Sequence, residues 1–131
     1  MAYNVLIVDD SETMRAVITK TIRMTGLPLH QLHAAENGKA ALEILEKNWI
    51  DIVFADINMP VMSGIEMVDK MKETGQIRAT PVVIVSTEGS QTRIEELIAK
   101  GVRAFVRKPI TPELFKELVE KILGGQSAVE R

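Results

Sequence analysis

The sequence predicts an α/β fold: a doubly wound, five-stranded parallel sheet flanked by five helices. Two observations carry this reading. Short runs that are apolar throughout, such as "VLIV" and "PVVIV", alternate with longer segments whose apolar residues recur at helical spacing. Strands that are apolar throughout are buried on both faces, as in parallel sheets covered by helices on each side.

Tyr3 to Val8 is the first strand, and Met14, Val17, Ile18 and Ile22 mark the first helix, closed by Gly26. A short strand follows from Gln31 to Ala35. Asn37 is suited to cap the second helix, with Ala41, Leu45 and Trp49 as its buried stripe. Ile52 to Ala55 is the third strand. Ser63-Gly64-Ile65-Glu66 is a capping box that opens a helix through Ile65, Val68 and Met71. Pro81 to Val85 is the fourth strand, and Ile94, Leu97 and Ile98 mark the core face of the fourth helix, which ends at Gly101. After a short fifth strand, Ala104 to Val106, Thr111 caps the fifth helix with Pro112 at its first position. Phe115, Leu118, Val119 and Ile122 form the core face, and Gly124-Gly125 ends the helix.

The 131 residues suit one domain, expected over residues 1–124 with a loose tail at 125–131. Hydrophobic residues make up 46%, enough for a core, and the absence of cysteine fits a reducing compartment. With 16 basic and 18 acidic side chains, the formal charge of -2 argues against general electrostatic attraction to nucleic acid. The apolar runs are too short for a membrane span, and the N-terminus lacks the basic start of a signal peptide. The expectation is a cytoplasmic monomer that neither contacts nucleic acid directly nor inserts into a membrane.

In an open parallel sheet, ligands bind outside the carboxyl ends of the strands. Those ends carry Asp9 and Asp10, then Asp56, then Ser86 and Thr87, then Lys108 and Pro109. Taken singly, Asp10 reads as a helix cap, Ser86 and Thr87 as loop formers, and Lys108 as a solvated lysine. Their coincidence on one edge is what points to chemistry, because a cap needs only one carboxylate. Three carboxylates with no arginine or histidine close in sequence suggest a hard divalent cation between Asp9 and Asp10, and oxygen-only ligands favour Mg2+. A divalent cation beside a lysine and a hydroxyl suits phosphoryl transfer, with Asp56, alone at its strand end, as nucleophile.

The motifs "VLIVDD…MR", "D-x-N-M-P-x-M-x-G", the hydroxyl after the fourth strand and "KP" together resemble response-regulator receiver domains, and among them the stand-alone chemotaxis regulators. The resemblance spans about residues 3 to 124 and implies a flavodoxin-like sheet. It implies that Asp56 accepts a phosphoryl group from a sensor histidine kinase. Asp10 matches a direct Mg2+ ligand, Asp9 an acid that helps hold the metal, and Asn58 the residue whose backbone carbonyl ligates it. Lys108 matches the lysine that meets the phosphoryl oxygens, and Pro109 a proline after a cis peptide bond. Ser86 matches the switch hydroxyl and Phe105 the switch aromatic, here without a tyrosine hydroxyl. Thr87 stands where alanine is usual, and Asn58 and Glu88 match positions that tune the lifetime of the phosphoryl group. The domain would catalyse its own phosphorylation and dephosphorylation. Its output would pass to a protein partner, a flagellar motor switch or a phosphotransfer protein, across the fourth helix, fifth strand and fifth helix. A phosphorelay intermediate or a phosphate sink is the alternative.

Trp49 is expected in the core, His30 and His33 as structural or solvated, and the methionines as packing residues. Two other classes fit less well. A phosphohydrolase with an aspartyl nucleophile places that residue after the first strand in a D-x-D/T pattern, which "DDSE" lacks. A flavodoxin-like electron carrier needs a glycine- and hydroxyl-rich phosphate loop there, and "DDSETMR" has no glycine.

Overall fold

The computed structural model describes residues 2–124; the expected tail at 125–131 lies outside the described residues. The elements in chain order are β1 (Tyr3–Val8), α1 (Glu12–Arg23), β2 (Leu29–Ala35), α2 (Gly38–Lys47), β3 (Ile52–Ala55), α3 (Gly64–Thr74), α4 (Gln76–Ala79), β4 (Val82–Ser86), α5 (Gln91–Ala99), β5 (Ala104–Arg107) and α6 (Pro112–Leu123). The strands form one parallel sheet in the order β2-β1-β3-β4-β5. Chain direction across the sheet reverses between β1 and β3, which opens a crevice at their carboxyl ends.

Alternating side chains divide the core in two. Val5 and Ile7 of β1 point to the layer of α1 and α6, where they meet Ile18, Ile22, Phe115 and Val119. Leu6 and Val8 point to the other layer, with Ala41 and Leu45 of α2, Met67, Val68 and Met71 of α3, and Leu97 of α5. Both faces of the central strands are therefore dry, which is why they read as uninterrupted apolar runs. Phe54 of β3 and Phe115 of α6 stack with ring centroids 4.2 Å apart, joining sheet to helix. The helix starts are locally encoded. Asn37 and Thr111 accept backbone hydrogen bonds as caps, and Ser63 and Glu66 complete the capping box.

Four expectations are corrected. The described residues contain six helices, not five, because α3 stops at Gly75 in the left-handed region (φ 81) and the chain makes one further turn, α4, before β4. One turn is too short to leave a periodic signal, although it buries Ile77. The fourth and fifth helices of the sequence reading are thus α5 and α6. Trp49 is not core but 74% exposed, because α2 ends at Lys47 and the extended Asn48 takes the chain off the helical stripe. Ile50 enters the core instead, and the Trp49 indole donates to Asp51. Ile98 and Val17 are exposed rather than core-facing, because the contact stripes narrow to Leu97 on α5 and to Ile18 and Ile22 on α1.

This packing predicts unequal costs for two aromatic truncations. Phe115→Ala is expected to cost about 3–5 kcal/mol in urea unfolding, as for other buried phenylalanines. Trp49→Ala is expected to cost less than about 1 kcal/mol, since exposed side chains contribute little. Equal losses would contradict the burial assignment.

Candidate functional site

The crevice between the ends of β1 and β3 collects the charged residues. Asp9 follows β1 and is almost fully buried at 2% exposure, Asp10 is exposed, and Asp56 follows β3 half-buried. One carboxylate oxygen from each of these three lies within 4.8 Å of the others. Lys108, just past β5, donates from Nζ to Asp9 Oδ2 at 2.8 Å and to Asp56 Oδ2 at 3.0 Å. Among the described residues, the cation that pairs with the Asp9 carboxylate is therefore an ammonium from 99 residues away, which inspection of the neighbouring sequence alone does not reveal.

The remaining oxygens are held by backbone. Asp9 Oδ1 accepts from Ser11 N at 2.9 Å, and Asp56 Oδ1 accepts from Ile57 N at 2.7 Å. Asp10 does not cap α1; Ser11 does, accepting from Met14 N. Asp10 is thereby left open to solvent beside two other acids. Burial, the largest influence on Lys108, lowers its pKa. The hydrogen bonds to Asp9 and Asp56 and the charges of both acids outweigh that and leave it above the ordinary lysine value. The lysine is an ammonium at neutral pH. Three carboxylates against one ammonium leave two negative charges in a crevice open at Asp10, and an all-oxygen donor set of this charge fits a hard divalent cation.

The surrounding residues occupy defined places. Ser86 ends β4, is buried, accepts from Glu88 N at 3.1 Å, and receives the Lys108 backbone N–H at its carbonyl at 3.0 Å. Asn58, in the loop after β3, and Thr87 and Glu88, in the loop after β4, are exposed, and the Lys108–Pro109 bond is cis. Phe105 of β5 lies half-buried on the α5 side of the sheet, against Gly89, where a Cβ would fall 2.6 Å from the ring. Arg107 donates to the Gly89 carbonyl at 2.7 Å and ties down the same loop. His30 and His33 bond Asn4 and Gln31, away from the acids.

Two residues of the quoted motifs had no stated role in the sequence and gain one here. Gly64 opens α3 directly against the Asp56 peptide, and any Cβ there would overlap the Asp56 carbonyl oxygen. Arg15 of α1 reaches back to the Asp9 carbonyl at 2.7 Å. The glycine could have been found from its place in "D-x-N-M-P-x-M-x-G"; the arginine's target could not, because it depends on how α1 packs.

The family model for the response regulator receiver domain matches residues 5–120. The chain belongs to this family. A CheY-homologous chemotaxis protein of Campylobacter jejuni is 36% identical over 129 residues, covering 95% of this receiver domain's chain and 98% of its own. The chemotaxis response regulator CheY4 of Vibrio cholerae superposes with a TM-score of 0.79 at 30% identity, over 93% of this chain and 99% of that one. A chain of the CheX–CheY–BeF3–Mg2+ complex of Borrelia burgdorferi superposes with a TM-score of 0.81 at 28% identity, over 92% and 89%. The receiver domain is thus a component of two-component signalling, in which such domains interact with histidine kinases and downstream targets.

Lys108 is the group whose loss the crevice should feel most. Lys108→Met leaves Asp9 buried beside Asp56 with no counter-charge. The expected loss is about 2–3 kcal/mol in metal-free urea unfolding, below the figure for fully enclosed pairs because the crevice opens to water. Asp9→Asn in the same background should recover at least half of it. An unchanged unfolding midpoint in Lys108→Met would show that the bridge contributes nothing.

Proposed function

We propose that Asp56 accepts a phosphoryl group from a phosphohistidine of a partner kinase and that the receiver domain, taken as residues 1–124, works in the cytoplasm as a reversible switch. The carrying observation is the convergence of Asp9, Asp10, Asp56 and Lys108 in one crevice. Asp9, Asp10, Asp56 and the Asn58 backbone carbonyl are the groups that would hold Mg2+. When bound, Mg2+ supplies charge neutralisation for the phosphoryl oxygens.

A carboxylate oxygen of Asp56 attacks phosphorus; the P–O bond forms as the P–N bond to the imidazole breaks, and the imidazole leaves with the electron pair. Lys108, already against Asp56, moves from carboxylate to phosphoryl oxygens, a short transfer for a flexible point charge. Hydrolysis reverses the gain: water attacks phosphorus, the Asp56–phosphorus bond breaks, and phosphate and the carboxylate are released. The exposed Asn58 and Glu88 flank the path of that water and set the lifetime.

The switch follows from the same contacts. The Ser86 hydroxyl, now accepting from Glu88 N, turns to donate to the phosphoryl group, and Phe105 moves inward from its place against Gly89. Thr87 at the crevice narrows access. The readout face is α5, β5 and α6, where Ser90, Gln91, Arg93, Lys116, Glu117, Glu120 and Lys121 are exposed. Its mixed charge suits a protein partner, a flagellar motor switch or a phosphotransfer protein, and the chemotaxis relatives favour the motor. Among the described residues, no helix is long and apolar enough to cross a membrane.

With acetyl phosphate and Mg2+, intact mass should rise by one phosphoryl group in the wild type and not in Asp56→Asn. Undiminished uptake by that variant would overturn the acceptor assignment. Partner binding should tighten in the presence of beryllofluoride and weaken on charge reversal at Lys116 and Lys121. A partner indifferent to both would mark a constitutive scaffold rather than a switch.

A further inference from the structure

Arg15 belongs to the "MR" of the first motif, and neither the metal site nor the switch uses it. Its guanidinium Nη1 donates to the backbone carbonyl of Asp9 at 2.7 Å. It pairs with no carboxylate within 4.0 Å among the described residues, Glu12 and Asp10 included. An arginine whose task was to neutralise acids would take a carboxylate, where its fork makes two bonds. This one takes a neutral carbonyl, which points to position rather than charge.

What that carbonyl controls is the Asp9–Asp10 peptide. Asp9 itself is over-determined. Its backbone N donates to Ala35 O at 3.0 Å, its Oδ1 accepts from Ser11 N, and its Oδ2 accepts from Lys108. Asp10 has no such support: neither its backbone N–H nor its carboxylate has a protein partner among the described residues. Among the described residues, the one hydrogen bond on the peptide linking the two acids is the one from Arg15. Arg15 is in turn fixed on α1, because its own backbone N donates to Ser11 O at 2.9 Å and Ser11 caps that helix. Among the described residues, the exposed acid is therefore aimed through a single tether, from a helix that packs on β1 through Ile18 and Ile22.

We propose that Arg15 is a positioning residue that sets the cation affinity of the site by orienting Asp10. The inference rests on the cation reading given above. Outer groups that orient metal ligands typically change affinity by about 10–100-fold when removed. A tether on backbone rather than on the ligand atom itself places Arg15 at the lower end.

The test is calorimetric titration of the full chain with Mg2+, alongside thermal unfolding in metal-free buffer. Arg15→Met should bind Mg2+ about tenfold more weakly than wild type, and Arg15→Lys, which keeps one charged donor, should recover part of the loss. Binding within twofold of wild type in Arg15→Met, with only a lowered unfolding temperature, would make Arg15 a helix tie and overturn the proposal. Tighter binding would overturn it differently, by showing that the guanidinium acts as a competing positive charge. Should the Met variant not fold, Arg15→Gln, with a neutral donor, takes its place; weakening of threefold or more is expected and unchanged affinity overturns. Asp10→Asn is the control. Weak binding there with normal binding in Arg15→Met sinks the Arg15 role alone, whereas a wild type that takes up no Mg2+ sinks the cation reading and the Arg15 role together.

Discussion

The Lys108 ammonium, held between Asp9 and Asp56, is the contact on which the arrangement of the sheet edge depends. It joins the ends of three strands, β1, β3 and β5, through two hydrogen bonds of 2.8 and 3.0 Å. Buried carboxylates this close would repel, and a buried charge without a partner is costly. One cation shared by two acids meets the constraint while leaving the cluster negative. That residual charge makes the crevice a place for a further cation. A phosphoryl group on Asp56 would present better acceptors than the carboxylate it replaces.

The loops around this contact have little slack. Gly64 lies against the Asp56 peptide with no room for a side chain, and a Cβ at Gly38 would press on Met62 and Met67 at 2.9–3.0 Å. Gly38 N also donates to Met62 O at 2.9 Å, tying α2 to the loop after β3. At the centre of that loop Val61 holds φ 65, a conformation that β-branched residues avoid. On the other flank Gly89 lies against Phe105 and is clamped by Arg107. Close-packed contacts of this kind respond in steps rather than by smooth deformation. A small change at Asp56 or Ser86 therefore has few ways to be absorbed locally.

The hydrophobic packing lies apart from the crevice. The two hydrophobic layers lie on either side of the sheet, anchored by residues such as Phe54, Phe115, Met67 and Leu97. The acids sit beyond the strand ends, outside both hydrophobic layers. The exposed face carries both signs of charge, in keeping with a chain whose formal charge is only -2. Specific docking, not long-range attraction, is what such a surface supports.

The layered α/β architecture is legible in the residues alone, because burial on both faces forces apolar runs and helix faces force a 3.6-residue period. The sequence also placed the caps at Asn37, Ser63 and Thr111, whose hydrogen bonds are local, and it located Asp9, Asp10, Asp56, Ser86 and Lys108 at strand ends. The contacts between them arise from the folded arrangement. Lys108 bridges Asp9 and Asp56 because β1 and β3 are neighbours and the chain beyond β5 returns to their ends, a fact of topology and not of spacing. The extra turn α4 was illegible because four residues carry no period. Trp49 and Ile98 were misplaced because a helical stripe indicates a face without saying where the helix stops or how wide its contact is. The target of Arg15 was hidden for the same reason: a side chain's partner depends on how its helix packs, and that is settled only when the two layers close on the sheet.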